Sequence, residues 1–241
     1  MRLHRFFLPF DITAQQICIE DTAVVHQMKN VFRYKRGDRV VLCDGRDNEA
    51  IGEIQGITQN NIIVAIHHMQ KTGREAFKKV ILACAVLKKD NFEMVVQKAT
   101  EAGISEIYPL ITDHTIKMNL RTDRLHIIAQ EASEQSGRGI VPIIHEPIDF
   151  KAFQNLSVHK KSQVYVCDET GEEMKISSQM KKGSSESIYI CIGPEGGWSD
   201  QELQDIQTLG WTTVSLGPRV LRAETAAVVM SFMAVNHEIS T

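Results

Sequence analysis

The chain has 241 residues, a formal net charge of −3, 43% hydrophobic residues and 24% charged residues. This length suits one large domain or two small ones, and the composition is that of an ordinary globular protein. The weak negative charge argues against a protein that coats nucleic acid without selectivity. No apolar run approaches the length of a membrane span, and the N-terminus lacks the apolar segment of a signal peptide. We therefore expect a cytoplasmic protein with no membrane partner.

The cysteines and histidines do not follow the spacing of metal ligands. The five cysteines are scattered, mostly in apolar runs, and no Cys-x-x-Cys occurs. This pattern predicts buried, reduced thiols rather than disulfides or a zinc site. His67 and His68 are adjacent in a predicted strand, so their side chains point to opposite faces and cannot bind one ion. We expect no metal.

Residues 1–72 have the pattern of short strands joined by turns. Strands of about six residues, separated by Asp-Gly and Asn-Asn turns, predict a small antiparallel barrel. Asp21 or Thr22 is predicted to cap a short helix that runs through Val31. The predicted strands are Arg2–Leu8, Arg39–Cys43, Glu49–Ile57 and Ile62–Met69.

Basic residues are concentrated in this N-terminal part. Between Lys29 and Arg39 there are five basic residues and a single acid, Asp38. A solvated charged face and an RNA contact account equally well for such a cluster. On the second interpretation, the candidate RNA-binding residues are Arg2, Arg5, Lys29, Arg33, Lys35 and Arg36.

Residues 73–241 have a different pattern, which begins after a polar linker at Gln70–Lys79. Val80–Leu87 is continuously apolar, as in a strand buried on both faces. Asp90 is predicted to cap a helix that ends at Gly103. Helices then alternate with buried strands, which predicts an α/β domain with a mainly parallel sheet. The later predicted elements are Ile104–Ile111, Arg121–Ser136, Asp149–Asn155, Val164–Cys167, Ser199–Leu209 and Ala223–His237.

Two predicted strands, Ser187–Ile192 and Thr212–Leu216, each end in a Gly-Pro turn. Glycine lets the backbone approach a ligand closely, and ligands of open α/β sheets bind at strand ends. Ser199 is a natural N-cap with Glu202 three residues later, so a capped helix should follow the first turn. Gly-Pro after a strand is also common in loops that bind no ligand. The second turn strengthens the prediction of a pocket because it carries charged residues, namely Arg219, Arg222 and Glu224.

These two turns carry a resemblance to a known family. Gly193–Asp200 reads GPEGGWSD and Leu216–Ala227 reads LGPRVLRAETAA. Both resemble the signature of the uridine-N3 methyltransferases that act on 16S ribosomal RNA, within the SPOUT superfamily. Shorter stretches at His26–Asp38, Lys98–Ile104 and Glu131–Arg138 are similar to segments of the same family. The resemblance spans nearly the whole chain and is strongest over Glu131–Arg138 and Gly193–Ala227.

The resemblance implies a fold and an assembly. It implies a SPOUT-type α/β methyltransferase domain with a C-terminal trefoil knot over 73–241, preceded by a PUA-like, RNA-binding β-barrel over 1–72. It also implies a homodimer with the methyl-donor site near the subunit interface. The last helix is apolar enough for such an interface, although packing within one subunit accounts for it nearly as well.

The resemblance further implies that S-adenosylmethionine is the cofactor. Backbone groups of turns at three strand ends would bind the adenine, and apolar side chains would cover it. The candidate cofactor-binding residues are Asp168, Glu169, Ile192, Gly193, Pro194, Gly196, Gly197, Leu216, Gly217, Pro218, Val220, Leu221 and Thr225.

The implied acceptor, N3 of uridine, is protonated at neutral pH and lies on the pairing edge of the base. The base must therefore be unpaired or extruded, and a nearby cation would favour its anion. Arg138, Arg219 and Arg222 are candidates for that cation, with phosphate binding or ion pairing as alternatives. Glu195 is the candidate base, unless it only accepts hydrogen bonds from loop amides. The polar residues around Arg138 suit either substrate binding or helix capping.

Other functions fit the sequence less well. SPOUT enzymes that methylate the ribose 2′-hydroxyl usually have an Asn-Gly-x-Glu-Gly loop, whereas this chain has Gly-Pro-Glu-Gly-Gly at 193–197. A non-catalytic RNA-binding or assembly factor would use the N-terminal barrel and would not bind S-adenosylmethionine. A dehydrogenase is disfavoured because no G-x-G-x-x-G follows an early strand. Trp198 stands where the family often has a smaller or different apolar residue, which would alter the pocket rim.

Overall fold

The computed structural model describes residues 3–9, 12, 14–116, 120–156, 162–173 and 187–236, so the predicted RNA contact at Arg2 lies outside the described residues. The chain divides into two compact units. One unit consists of Met1–Glu75 and Ser133–Val141, and the other consists of Ala76–Ala132 and Pro142–Thr241. Each unit has its own hydrophobic core. The predicted boundary between an RNA-binding domain at 1–72 and a methyltransferase domain at 73–241 stays a prediction.

The first unit contains one sheet and a short helical segment. Its elements are β1 (Arg5–Phe7), β2 (Gln16–Ile19), α1 (Thr22–His26), a π-helical turn (Gln27–Val31), β3 (Arg39–Cys43), β4 (Asn48–Ile57) and β5 (Ile62–Lys71). The strand order is β1-β3-β4-β5-β2. The sheet confirms the predicted small, barrel-like β domain. The antiparallel prediction is wrong for one pair, because β1 runs parallel to β3, and β2 was not predicted.

Local signals in the first unit set the ends of its elements. The carboxylate of Asp21 accepts hydrogen bonds from the amides of Ala23 and Val24, which confirms the predicted N-cap. Alternation along the strands then directs large side chains inward, where Phe6, Leu42 and other residues form a buried core. In β4, Ile54 lies in this core while its neighbours Glu53 and Gln55 are half-buried, because alternate residues on a strand face opposite sides.

The second unit is built on a parallel sheet. Its strands are β6 (Lys79–Ala85), β7 (Glu106–Ile111), β8 (Ile143–Ile144), β9 (Ile148–Asp149), β10 (Ser162–Glu173), β11 (Ser187–Ile192) and β12 (Thr212–Ser215). They follow the order β12-β10-β11-β6-β7-β8, with β9 beside β7, and every pair is parallel. This arrangement confirms the predicted α/β class. The continuously apolar β6 and β11 lie in the middle of the sheet, as expected for strands buried on both faces.

Helices of the second unit follow most of the predicted signals. They are α2 (Lys89–Ala102), α3 (Thr122–Ser136, whose last turn belongs to the first unit), α4 (Phe150–Gln154), α5 (Asp200–Thr208) and α6 (Ala223–Asn236). Gly103 ends α2 in the left-handed conformation, with φ of 105°. Asp90 is not the N-cap of that helix, because α2 begins at Lys89 and Lys88 occupies the cap, two residues before Asp90. Ser199 and Glu202 form the predicted capping box of α5.

Candidate functional site

Three turns of the second unit lie at one edge of its sheet. The strands β12, β10 and β11 are neighbours and parallel, so their carboxyl ends share that edge. The turn after β11 is Gly193–Gly197, and the turn after β12 is Leu216–Leu221. Asp168–Gly171 lies near the end of β10. The topology therefore places the predicted cofactor-binding segments on adjacent strands, as expected for ligand sites of open α/β sheets.

The turn after β11 is tight and glycine-dependent. The amide of Gly197 donates to the carbonyl of Pro194 at 2.9 Å, and Gly197 has φ of 70°. Gly193 and Pro194 are buried, whereas Glu195 and Gly196 are exposed. The turn therefore presents the carboxylate of Glu195 and nearby backbone groups on its outer side.

Trp198 connects this turn to the end of β10. Its indole nitrogen donates to the carbonyl of Cys167 at 3.1 Å, and its ring packs on Phe150 with centroids 4.7 Å apart. A Cβ at Gly193 would lie 3.1 Å from the indole, so a side chain there would force the ring to move. Trp198 is only 7% exposed, which places it in the core rather than on the predicted pocket rim.

A segment that the sequence did not single out supports the same turn. The Nδ1 atom of His114 lies 3.1 Å from the carbonyl oxygens of both Gly196 and Gly197. Because two acceptors face this nitrogen, Nδ1 carries the proton. Ser199 donates from its hydroxyl to the Asp113 carboxylate at 2.6 Å. Asp113 and His114 come shortly after β7, which is a parallel strand of the same sheet. Because parallel strands end at one edge, this position is the signal from which the sequence could have indicated them.

The Asp168–Gly171 segment is an interruption within β10 rather than the loop predicted after it. Cys167 and Glu172 both pair with Val214, so the four residues between them leave the ladder and return to it. The carboxylate of Asp168 accepts hydrogen bonds from the amide and hydroxyl of Thr170. A Cβ on Gly171 would lie 2.6 Å from the backbone of Val214, which requires glycine at this position. Glu169 is exposed.

The turn after β12 is open to solvent. Gly217 has φ of 110°, and its carbonyl accepts a hydrogen bond from the Ser215 hydroxyl at 3.2 Å. Leu216 and Leu221 are half-buried, whereas Val220 is 80% exposed. Pro218, Arg219 and Thr225 are also exposed. Such exposed apolar and polar groups beside a left-handed glycine give the turn a surface that a ligand can cover.

Charged groups accompany these turns. Arg222 is exposed and its guanidinium lies 3.9 Å from the buried carboxylate of Glu224. Arg219 makes no ion pair with any residue that the structure describes. Burial raises the pKa of the Cys84 thiol, and the charges of Glu195 and Glu224 raise it further. Both carboxylates therefore lie near the end of β6, which gives this edge two acids and two cations.

Arg138 belongs to the first unit and is 5% exposed. Its guanidinium donates to both oxygens of Glu75, at 2.7 Å and 3.4 Å. Glu75 also accepts from the amides of Gly139 and Ile140. The pair thus fixes the backbone after α3, and the catalytic role of Arg138 stays a prediction.

The predicted RNA-binding residues differ in their surroundings. The Arg5 guanidinium donates to Glu49 at 3.2 Å, and its side chain is 11% exposed. Lys29 donates to the carbonyls of Thr58 and Gln59. In contrast, three cations are exposed and make no ion pair within the described ranges, namely Arg33, Lys35 and Arg36.

Two features are absent from the described residues. No three histidine, cysteine or acidic side chains are grouped as metal ligands there. No described helix combines the length and apolar character needed to cross a membrane.

The chain resembles known RNA methyltransferases. Residues 74–234 match the RNA methyltransferase domain family, and residues 19–67 match the RNA methyltransferase PUA domain family. The chain is 34% identical to ribosomal RNA small subunit methyltransferase E of Rickettsia conorii, over 85% of this chain and 83% of that protein. It is 31% identical to the Bacillus subtilis protein of the same name, over 93% of each.

The fold is likewise similar to a solved structure. The crystal structure of ribosomal RNA small subunit methyltransferase E from Neisseria gonorrhoeae, bound to S-adenosyl methionine, matches with a TM-score of 0.87 and 25% identity. The match covers 99% of this chain and 98% of that one. With two family matches, a relative above 30% identity and this structural likeness, the chain belongs to the ribosomal RNA small subunit methyltransferase E family.

Proposed function

We propose that the protein transfers a methyl group from S-adenosylmethionine to N3 of a specific uridine in 16S ribosomal RNA. The observation that carries this proposal is the edge of the second unit, where the predicted cofactor-binding residues lie in the turns after β11 and β12 and in the interruption of β10, on adjacent parallel strands. The Neisseria gonorrhoeae relative contains S-adenosyl methionine, which supports the same cofactor here.

The residues at this edge fit such a cofactor. Gly197 and Gly217 are left-handed, and no heavy atom lies within 4 Å of a Cβ built on either one, so there is room for a ligand beside each of them. Half-buried Leu216 and Leu221 provide apolar surface for an adenine ring. When bound, S-adenosylmethionine supplies an electrophilic methyl group on a sulfonium. The holding groups are the turns at 193–197 and 216–221, with Asp168, Glu169 and Thr225.

The charged residues take part in acceptor binding and proton removal. Arg219 is the best placed cation, because it is exposed and pairs with no described acid, so it is available to the uracil anion. Arg222 is the second cation, although it faces Glu224. Glu195 accepts the N3 proton, since its carboxylate is exposed on the outer side of its turn. Arg138 remains a candidate whose pairing with Glu75 also gives it a structural role.

The assembly follows the family resemblance. The C-terminal part of the second unit is a trefoil knot, and two subunits form a homodimer. Support for the dimer comes from the mostly apolar helix α6, where Val229 is 36% and Phe232 is 60% exposed. A second subunit would cover these apolar side chains. Residues 1–72 form the PUA-like RNA-binding domain and 73–241 the methyltransferase domain. The enzyme acts in the cytoplasm on the small ribosomal subunit.

The test is a methyl-transfer assay with isotope-labelled S-adenosylmethionine. Purified protein is incubated with unmethylated small-subunit particles and, in parallel, with naked ribosomal RNA, and the digested nucleosides are identified by mass spectrometry. We expect labelled 3-methyluridine, formed more efficiently in the particle. Arg219→Ala should lower the yield at saturating cofactor, whereas Arg121→Ala, an exposed arginine of the same unit, should not.

Other products would change the assignment. Labelled 2′-O-methyluridine would move the protein to the ribose-methylating branch of the superfamily. If neither RNA carries label and the protein nevertheless binds RNA, the protein is an RNA-binding or assembly factor and the proposed reaction is wrong.

A further inference from the structure

Three aromatic rings form a cluster at the surface of the first unit. The rings of His4 and Phe32 lie with centroids 4.1 Å apart and 37° between their planes. Tyr34 lies 5.8 Å from Phe32 and 6.3 Å from His4. Beneath them, fully buried Phe6 meets Phe32 and Tyr34 edge-on, at 5.7 Å and 6.2 Å. We call His4, Phe32 and Tyr34 the ring cluster.

The backbone holds the ring cluster in place. The carbonyl of His4 accepts from the Val41 amide at 3.0 Å, which anchors His4 at the start of β1. The amide of Tyr34 donates to the carbonyl of Met28 at 3.0 Å, and Phe32 and Tyr34 both pack on the core. Because these residues are already held in place, stacking a ligand on them costs the protein little additional side-chain conformational entropy.

His4 is the outermost ring of this cluster. It is exposed, whereas Phe32 and Tyr34 are half-buried and Phe6 is inaccessible. Burial raises the pKa of the Tyr34 hydroxyl, and the nearby Asp38 charge raises it further. The tyrosine ring is therefore neutral at physiological pH. The exposed imidazole, packed against two aromatic rings, offers a face of the kind on which nucleobases stack.

Basic residues adjoin the ring cluster in the sequence. Arg33 stands between Phe32 and Tyr34 in the sequence and has the left-handed conformation, with φ of 56°. A residue other than glycine in this conformation is uncommon, and such strain often occurs at functional positions. Arg33, Lys35, Arg36 and Arg39 are exposed and make no ion pair in the part of the chain that the structure describes. Their charges are therefore available to phosphate groups.

We propose that the ring cluster is a stacking site for an unpaired nucleobase of the RNA substrate, with Arg33, Lys35 and Arg36 binding the adjoining phosphates. The proposal rests on the proposed function, because it takes RNA to be the partner. Aromatic rings next to basic side chains are suited to single-stranded RNA. Every base has a face that stacks on an aromatic ring, and every nucleotide carries a phosphate. Stacking without base-edge readout predicts an affinity that depends on the presence of a base more than on its identity.

The experiment compares two probes that differ only in their bases. The full-length protein is titrated into a fluorescent single-stranded oligouridylate and into an abasic ribose-phosphate oligomer of equal length. We expect His4→Ala to weaken binding of the oligouridylate by about five- to hundredfold and binding of the abasic oligomer by less than about twofold. His4→Phe should retain binding, because it keeps an aromatic ring at this position.

Two further variants separate stacking from charge and from general damage. Arg36→Ala should weaken binding of both oligomers and lower the salt dependence of log K by about 0.7, as expected for one lost phosphate contact on a single strand. His68→Ala, another exposed histidine of the first unit, should leave both affinities unchanged. Equal thermal unfolding midpoints of the His4 variants and the wild type would show that the fold is intact.

The outcomes distinguish this site from the proposed reaction. If the wild type methylates ribosomal RNA but His4→Ala binds both oligomers as tightly as the wild type, the stacking site is wrong and the proposed function stands. Equal losses for the two oligomers would also overturn it, because a charge or folding effect would explain them. If the wild type transfers no methyl group but His4→Ala loses only base-dependent affinity, the stacking site stands and the proposed reaction is wrong.

Discussion

His114 and Gly196 are 82 residues apart in sequence, yet the Nδ1 atom of His114 lies 3.1 Å from the carbonyl oxygen of Gly196. The same nitrogen lies 3.1 Å from the carbonyl of Gly197. The segment after β7 thus restrains the glycine turn after β11. A turn that binds a ligand through its backbone depends on such restraint, because the ligand would otherwise have to order the turn itself.

We expect His114→Ala to weaken S-adenosylmethionine binding by about three- to tenfold, the effect of one or two lost hydrogen bonds. Isothermal titration calorimetry of the variant and the wild type measures this change. His126→Ala, an exposed histidine on α3 that makes no described contact with the turn, is the matched control. Identical affinities for His114→Ala and the wild type would contradict a restraining role of His114.

Gly217→Ala should cost stability and cofactor affinity together. Its φ of 110° is unfavourable for alanine, which predicts a loss of about 1–2 kcal/mol in the free energy of unfolding. Gly210 also has a positive φ, of 68°, with open space around a built Cβ, but it lies outside the candidate site. Gly210→Ala should therefore lose comparable stability in urea denaturation and retain the cofactor affinity. If both variants bind the cofactor equally well, the turn after β12 is not part of the cofactor site.

The buried ion pair of Arg138 and Glu75 should be costly to break. Glu75→Ala leaves a buried guanidinium without its carboxylate, so we expect a loss of about 3–5 kcal/mol in the free energy of unfolding. Glu101→Ala, which removes the partner of Lys98 at the surface, should hardly change the urea midpoint. Arg138→Lys tests catalysis separately. If its kcat falls at full cofactor and RNA occupancy while Glu75→Gln retains kcat, Arg138 acts on the substrate.

Buried thiols should make the protein less stable in strong base. Burial raises the pKa of both Cys43 and Cys167 to about 12, from an ordinary value of 9.0. The folded state thus retains a thiol proton that the unfolded state loses. The associated stability is complete below pH 9 and is lost as the pH rises from 9 towards 12. Urea midpoints measured across this range should fall.

The cysteine variants identify the groups responsible. Cys167→Ala should reduce the dependence on pH, whereas Cys18→Ala should not, because Cys18 is exposed. A profile that is unchanged by Cys167→Ala would show that other groups cause the loss of stability.

Signals within a few residues of each other predicted the structure well. The cap at Asp21, the capping box of Ser199 and Glu202, and the end of α2 at Gly103 all depend on neighbouring residues and are confirmed. The prediction of Asp90 as a cap was wrong by the shift of a helix start. Helix starts within two residues of each other differ little in free energy, so the sequence does not fix the first residue of a helix.

Contacts between distant residues were not predictable from the pattern. Glu75 lies in the predicted linker, and nothing near it indicates that it would bind Arg138, 63 residues later. The parallel pairing of β1 with β3 and the approach of His114 to Gly196 are of the same kind. In the candidate site, the turns were predicted because glycine and proline mark them locally. The residues that hold the turns were missed because they come from other strands.

The interruption of β10 has a consequence for variation at this edge of the sheet. The chain leaves the ladder at Cys167 and rejoins it at Glu172 opposite the same partner, Val214. The two strands therefore pair on both sides of the excursion, and β12 does not advance across it. Residues can be added to it, removed from it or exchanged within it, with Gly171 retained, without sliding β10 against β12. This makes the Asp168–Thr170 segment the place where this edge of the sheet can be remodelled at the least risk to the strand pairing.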